Sequence, residues 1–344
     1  MLGVFAIDDK GNLLAWGANT GNALGLSGGG NISTPALVMS GVKKVVSSKG
    51  MDTSADSSNE FTTAILPTDG KLYTVGSNSS GQLGRAGAAD SLGPVSFSGE
   101  IVDIAMGRDH LLVLDADGVL WGIGNNSYGQ LGSEGMGGNV TSFIRIADDV
   151  SKIAAGRRNT YYVDTNGDLY GLGDNRWYKI TSESTEVKIS IPTYMTDNVR
   201  DVVGSTHQLL ILKDNGDLYY LGQRNMDNFG PEDTYRGTMD LVHTGVIRAD
   251  LYYDHIVMLC EGGDVYGFGY NSSGQLGSGV GGLVLTPIKI AEGAVDIAAG
   301  ASTTIIALKD GSVIISGSNT RGQAGNGTTA GNVNMQIIEF PYIK

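Results

Sequence analysis

A chain of 344 residues, 41% of them apolar, can bury one large all-β domain or two ordinary ones, and its seven prolines are too few for a Pro-rich disordered linker. Against 36 acidic residues stand 23 basic ones, leaving a net charge of −13 with no Lys/Arg run, so phosphate backbones and anionic bilayers are repelled and neither nucleic acid nor membrane is expected as a partner. The single cysteine, Cys260, excludes an internal disulfide framework and a multi-cysteine metal site. Met1-Leu2-Gly3-Val4-Phe5-Ala6-Ile7 runs straight into Asp8-Asp9-Lys10, which is no signal peptide or membrane span. The expected location is cytoplasmic, or a virion if the chain is phage-encoded, without Sec export.

In chain order, an anchor glycine recurs at Gly17, Gly76, Gly124, Gly173, Gly222, Gly269 and Gly317, in steps of 59, 48, 49, 49, 47 and 48 residues. Ahead of each lies a short strand with an apolar or aromatic pair: Leu13-Leu14, Leu72-Tyr73, Leu120-Trp121, Leu169-Tyr170, Leu218-Tyr219, Val265-Tyr266 and Val313-Ile314. Before each strand stands a turn dipeptide such as Asp69-Gly70, Asp117-Gly118, Asn166-Gly167 or Asn215-Gly216, which predicts two-residue hairpins with two positive φ angles. A second apolar strand precedes the hairpin (Leu111 to Leu114, Leu209 to Leu212, Ile305 to Leu308), and a shorter one precedes that (Ile101 to Ala105, Val150 to Ala155, Val295 to Ala299). After each anchor comes a polar loop. It reads Asn-Ser-Ser-Gly-Gln-Leu-Gly at Asn78 to Gly84 and again at Asn271 to Gly277, closely similar at Asn126 to Gly132, and more loosely at Asn19 to Gly25 and Asn319 to Gly325. A fourth strand follows, as at Pro287-Ile288-Lys289-Ile290.

Four strands in about 48 residues make a small antiparallel sheet that cannot bury both faces alone, and seven such sheets must stack. The predicted architecture is all-β: one domain over residues 1–344, a closed seven-bladed β-propeller of four-stranded antiparallel blades. An open solenoid would need polar end caps, which neither terminus resembles. The first copy starts at its second strand, so the apolar tail, Ile337-Ile338-Glu339-Phe340 and Tyr342-Ile343, is expected to supply what the first blade lacks and to close the ring by pairing N- and C-terminal strands.

The succession of apolar strand, Gly-x-x-His, second strand, Asp-Gly, aromatic strand and Gly-x-Asn-x-x-Gly-Gln-Leu-Gly closely resembles the regulator of chromosome condensation repeat. The resemblance covers essentially the whole chain, with three nearly complete copies through Gly84, Gly132 and Gly277 and degraded fourth and fifth copies. It implies a seven-bladed propeller. It does not imply one function, since the family looks to include nucleotide-exchange factors, ubiquitin-ligase modules, photoreceptors and secreted inhibitor proteins.

Catalytic and metal chemistry has little support in the residues. His110 in Gly107-Arg108-Asp109-His110, His207 in Gly204-Ser205-Thr206-His207 and His255 occupy one repeat position, with Asn159 and Thr303 replacing them elsewhere, so they read as turn-fixing hydrogen bonders rather than metal ligands. Gly25-Leu26-Ser27-Gly28-Gly29 matches the hydrolase elbow and Gly277 to Gly282 the dinucleotide fingerprint, but neither lies in the strand-to-helix setting that its chemistry needs. Asp115-Ala116-Asp117-Gly118 and Asp164 to Asp168 have too few oxygens for a calcium loop. Cys260 reads as packed and inert, and Trp16, Trp121 and Trp177 fall at unlike repeat positions, against a photoreceptor cluster. No enzyme activity, no metal and no cofactor are expected.

Departures from the repeat remain, and binding tends to reside in loops on a rigid scaffold. One is the Ser- and Asp-rich insertion Ser47 to Glu60. The others are the fourth and fifth signature loops, which bring Arg176, Trp177, Tyr178, Arg224, Met226, Phe229, Tyr235 and Arg236 to neighbouring blades. Aromatic, Met and Arg enrichment marks interface cores. These residues predict a non-enzymatic scaffold with a protein partner, in one form a structural or accessory component of a phage or viral particle; the alternative is a guanine-nucleotide exchange factor for a small GTPase, or an enzyme-inhibitor module.

Overall fold

A computed structural model describes residues 3–48, 61–223, 235–252, 255–277 and 281–340. The strands group into seven antiparallel sheets in sequence order, and the sheets are the blades of a ring. Blade 3 is typical: Ile101–Met106, His110–Asp115, Leu120–Asn125 and Asn139–Ala147 pair successively from first to fourth strand. Blade 4 repeats it with Val150–Gly156, Asn159–Asp164, Leu169–Asp174 and Lys188–Thr196. Second strands such as His110–Asp115 and His255–Cys260 are buried at every residue. A strand covered on both faces selects a continuous apolar run, which is why these segments do not alternate.

The core is divided among the seven boundaries between blades. Leu112, Leu120 and Leu131 of blade 3 pack against Val150, Tyr162 and Leu172 of blade 4, and Leu210, Leu218 and Tyr220 of blade 5 pack against Ile256, Met258 and Phe268 of blade 6. The boundary that closes the ring is built the same way. Val4, Leu14 and Trp16 of blade 1 share a cluster with Ile315, Ala324 and Ile338, and the Trp16 indole N–H donates to the Gln323 carbonyl at 2.7 Å. The chain ends therefore meet, as ring closure requires.

Two details differ from the sequence reading. Among the described residues blade 1 has three strands, Gly3–Ile7, Leu13–Ala18 and Asn31–Met39. The start of the tail, Asn332–Ile337, is the fourth strand of blade 7, and Ile338 still donates to Val313 of that blade. Beyond it, Ile338 and Phe340 reach blade 1 through side chains, Phe340 standing edge-on to Trp16 at 5.9 Å. Residues 341–344, with Tyr342 and Ile343, lie outside the described residues. Second, the hairpins are not two-residue turns. In blade 3 the Asp115 amide donates to the Val119 carbonyl and the Gly118 amide to the Asp115 carbonyl, with only Gly118 at positive φ (76°). This is a three-residue loop, a type I turn followed by a left-handed glycine. The Asp115 carboxylate accepts from the Asp117 and Val119 amides and so fixes that geometry.

Candidate functional site

The signature loop proves to be a hydrogen-bonded clamp. In blade 3 the Asn126 side chain accepts from the Leu131 amide and donates to the Gly132 and Glu134 carbonyls, while the Gln130 carboxamide accepts from the Tyr128 amide at 2.9 Å and donates to Asn125. Asn19, Asn78, Asn271 and Asn319 make the same side-chain bond to the amide five residues on. The signature thus encodes loop shape, not chemistry. The clamp seats each loop on the next blade: Gly129 approaches Ser190 of blade 4 so closely that an added methyl group would strike it.

Blade 4 keeps the clamp and changes its contents. Asn175 accepts from the Ile180 and Thr181 amides and donates to the Thr181 and Glu186 carbonyls. Counting from Asn175 as from Asn126, Trp177 stands for Tyr128, Tyr178 for Gly129 and Lys179 for Gln130. Trp177 and Tyr178 hold φ of 76° and 51°, a region that side chains other than glycine, Asn and Asp rarely enter. The half-buried Trp177 ring stands edge-on to His207 of blade 5, with centroids 5.3 Å apart. Arg176 is exposed and pairs with Asp174 through two nitrogens.

Lys179 is wholly buried. Its ammonium donates to the Asn159 side-chain oxygen at 2.7 Å and to the Thr206 carbonyl at 2.9 Å. Asn159 in turn donates to the Asp174 carbonyl, so the residue that replaces the repeat histidine in blade 4 is the partner of the residue that replaces the repeat glutamine. Burial lowers the Lys179 amine to about 8, opposed by Asp174 and reinforced by Arg176, Arg158 and Arg157. Burial also pushes Asp174 up, but the Arg176 bond and the Lys179 charge together outweigh it and hold the carboxyl below its ordinary value. A lysine that loses its proton earlier in the folded chain makes stability rise with pH between its folded and unfolded values, because there the unfolded state holds more protons. Lys179→Gln, which restores the signature residue, is therefore expected to remove a stability gain of wild type between pH 8 and 10, at most roughly 3 kcal/mol for the full shift. Urea unfolding of both proteins at pH 7 and pH 10 measures the difference.

Of the three histidines read as one repeat position, His110 and His255 pair with the anchor glycines Gly124 and Gly269, whereas in blade 5 Gln208, not His207, pairs with Gly222, so His207 stands one residue earlier, where Arg158 stands in blade 4. His110 is fully buried and, contrary to the expected turn-fixing bond, neither ring nitrogen makes a hydrogen bond of good geometry; burial lowers it to about 4, partly offset by the Asn159 backbone. His255 does bond, to the Thr304 hydroxyl at 3.0 Å. Among the described residues no group of three His, Cys, Asp or Glu side chains could hold a metal. Cys260 is buried, as expected.

Of the eight interface candidates, the structure brings Arg176, Trp177 and Tyr178 together on one loop. Arg224, Met226 and Phe229 lie outside the described residues. The backbones of Tyr235 and Arg236 lie on the fourth strand of blade 5, paired with Gln223 and Gly222, but their side chains are also outside the described set. So is the insertion after Ser48. The sequence reading missed Tyr128, Arg158 and Lys188, which surround this loop. Comparing the copies position by position would have found them: Tyr128 stands where Ser80 and Ser273 stand, Arg158 where Asp109 and Ser302 stand, and Lys188 where Asn31, Asn139 and Asn332 open their strands.

Profiles of the regulator of chromosome condensation (RCC1) repeat match residues 69–114, 101–130, 246–275, 262–307 and 294–323. No curated protein matches the chain significantly in sequence. Among solved structures, human WBSCR16 superposes with a TM-score of 0.80 at 20% identity, covering 96% of this chain and 95% of that one. Yeast RCC1 (Prp20), in a structure with Kap60 bound, gives 0.80 at 14% identity over 96% and 84%. Prp20p from Saccharomyces cerevisiae, in a structure described with its binding properties to Gsp1p and histones, gives 0.81 at 14% over 96% and 86%. At these identities the likeness is one of fold. Repeat matches and ring together show that the chain is a seven-bladed propeller of the regulator of chromosome condensation repeat family.

Proposed function

We propose that the protein is a non-enzymatic protein-binding scaffold whose contact surface is centred on the fourth signature loop. The observation that carries this reading is that blade 4 retains every clamp bond from Asn175 yet places both Trp177 and Tyr178 at positive φ, whereas at these two positions the loops of blades 2, 3, 6 and 7 use it only at a glycine (Gly81, Gly129, Gly274 and Gly322) and blade 1 at Gly21 and Asn22. A loop that only had to seat one blade on the next needs no such strain, and backbone strain of about 1–3 kcal/mol per residue persists where function selects it. Beside the two aromatic rings stands an exposed arginine, the composition of an interface centre. The partner is a protein within a larger assembly, of which a phage or viral particle is one form; neither nucleic acid nor membrane is the partner, and no helix among the described residues is long and apolar enough to cross a membrane.

Mass spectrometry of the assembly that co-purifies with the tagged protein identifies the partner. Trp177→Ala is then expected to weaken binding to the purified partner at least tenfold, and Arg224→Ala extends the test to the fifth loop. Unchanged affinity in both variants overturns the reading. Accelerated nucleotide release from loaded small GTPases would instead favour the exchange-factor alternative, which the likeness of fold to Prp20 leaves as the second reading.

A further inference from the structure

On a chain of net charge −13, three cations converge on one tyrosine. The Arg158 guanidinium lies 4.6 Å from the centre of the Tyr128 ring and donates to its hydroxyl at 3.1 Å; the Arg176 guanidinium lies 5.2 Å and the Lys188 ammonium 5.3 Å from the same centre. Tyr128 belongs to blade 3 and the cations to blade 4, so the site straddles a boundary that the signature clamp makes rigid. Several other copies carry uncharged or acidic residues at these positions, Ser80 and Ser273 for Tyr128, Asp109 and Ser302 for Arg158, Ser127 and Ser272 for Arg176, and Asn139 and Asn332 for Lys188. Packing does not require the cluster, since Ser80 and Ser273 fill the Tyr128 position, and Asn31, Asn139 and Asn332 the Lys188 position, at other boundaries.

Two of the three charges are not neutralised from within. Asp174 is taken by Arg176, whereas among the described residues neither Arg158 nor Lys188 has a carboxylate within 4.0 Å. All three cations lie close enough for mutual repulsion to be only partly screened, the Debye length being about 10 Å at 0.1 M salt. A cationic cluster with two of its three charges not neutralised, held in place by rigid strands, is preorganised for anionic groups. The size of the cluster and its setting select the kind of anion. A short acidic peptide can place two or three carboxylates on the patch and lay an apolar stem against the Tyr128 ring, while a long nucleic-acid backbone would be repelled by the net charge of −13.

We propose that the Arg158, Arg176, Lys188 and Tyr128 cluster docks an aspartate- or glutamate-rich segment of the partner protein. This deepens the scaffold reading and rests on it for the existence of a partner, but its test needs no partner. Fluorescein-labelled deca-glutamate is titrated with the purified protein at 50 mM salt and followed by anisotropy. Expected are saturable binding that weakens steeply by 300 mM salt, at least a tenfold loss in the double variant Arg158→Glu/Lys188→Glu, and no loss in Lys309→Glu, an exposed lysine elsewhere on the ring. Circular dichroism and the unfolding midpoint verify that the double variant keeps the wild-type fold; the single variants Arg158→Ala and Lys188→Ala, each expected to lose a smaller part of the affinity, serve if it does not. No binding by wild type, wild-type affinity in the double variant (or, where it does not fold, in both single variants), or tighter binding of a ten-nucleotide oligothymidine overturns the inference. If any of these occurs while Trp177→Ala still abolishes partner binding, the acidic-segment assignment fails and the scaffold reading stands.

Discussion

Trp16→Ala is expected to be among the most damaging single substitutions in the chain, lowering unfolding free energy by about 3–5 kcal/mol. The side chain is fully buried, shares its cluster with Val4, Leu14, Ile315 and Ile338, and bonds the Gln323 carbonyl, which truncation would leave without its donor. Unlike a loss inside a blade, the damage falls on the seam, so the ring opens where its first and last blades meet. Trp121→Ala is the control. Trp121 is half-buried at the boundary of blades 2 and 3, and its indole bonds Asp115 within its own blade. Denaturant unfolding should show the larger loss for Trp16, together with limited proteolysis confined to the terminal blades. Equal losses and no terminal cleavage would mean that the seam carries no special share of stability.

Gly173→Ala is the second. The anchor glycine of blade 4 has φ of 112°, and a Cβ there would overlap the Arg158 carbonyl oxygen and crowd the Asn159 Cα, both backbone atoms of the neighbouring strand. Neither can yield without breaking the pairing of Asn159 with Gly173, so the expected cost exceeds about 4 kcal/mol, in the range that signals a specific structural failure. Gly132→Ala separates conformation from contact. Gly132 has a similar φ of 102° but nothing within 4 Å of the added carbon, and its substitution should cost only the backbone strain, about 1–3 kcal/mol. The difference between the two midpoints of unfolding reads the steric part directly.

Blade number, strand positions and the anchor glycines were legible in the sequence because each is dictated locally. A second strand sandwiched between blades must be apolar at every residue, as Leu111 to Leu114 is, and an anchor whose Cβ would meet a carbonyl must be glycine. The turn type was misread because the controlling residue lies outside the Asp-Gly pair: it is the carboxylate of Asp115 or Asp164, two residues ahead, that gathers the loop amides. The degraded fourth loop was recognised as a departure, but not that Lys179 points inward, because its burial depends on Asn159, 20 residues away, having replaced a histidine. The convergence of the cationic residues on Tyr128 was not legible for a similar reason. Tyr128 and Arg158 stand 30 residues apart on different blades, and only the stacking of those blades turns two unremarkable positions into one site.

The seam joins atoms 307 residues apart in the chain, from Trp16 to Gln323. At a synthesis rate of about 5–20 residues per second, roughly 15–60 seconds separate the emergence of the first from that of the second. Throughout that interval the nascent first sheet presents Val4, Leu14 and Trp16 without their mates. The nascent first sheet is thus sticky until blade 7 has emerged, and cellular chaperones have a defined surface and a defined window in which to shield it.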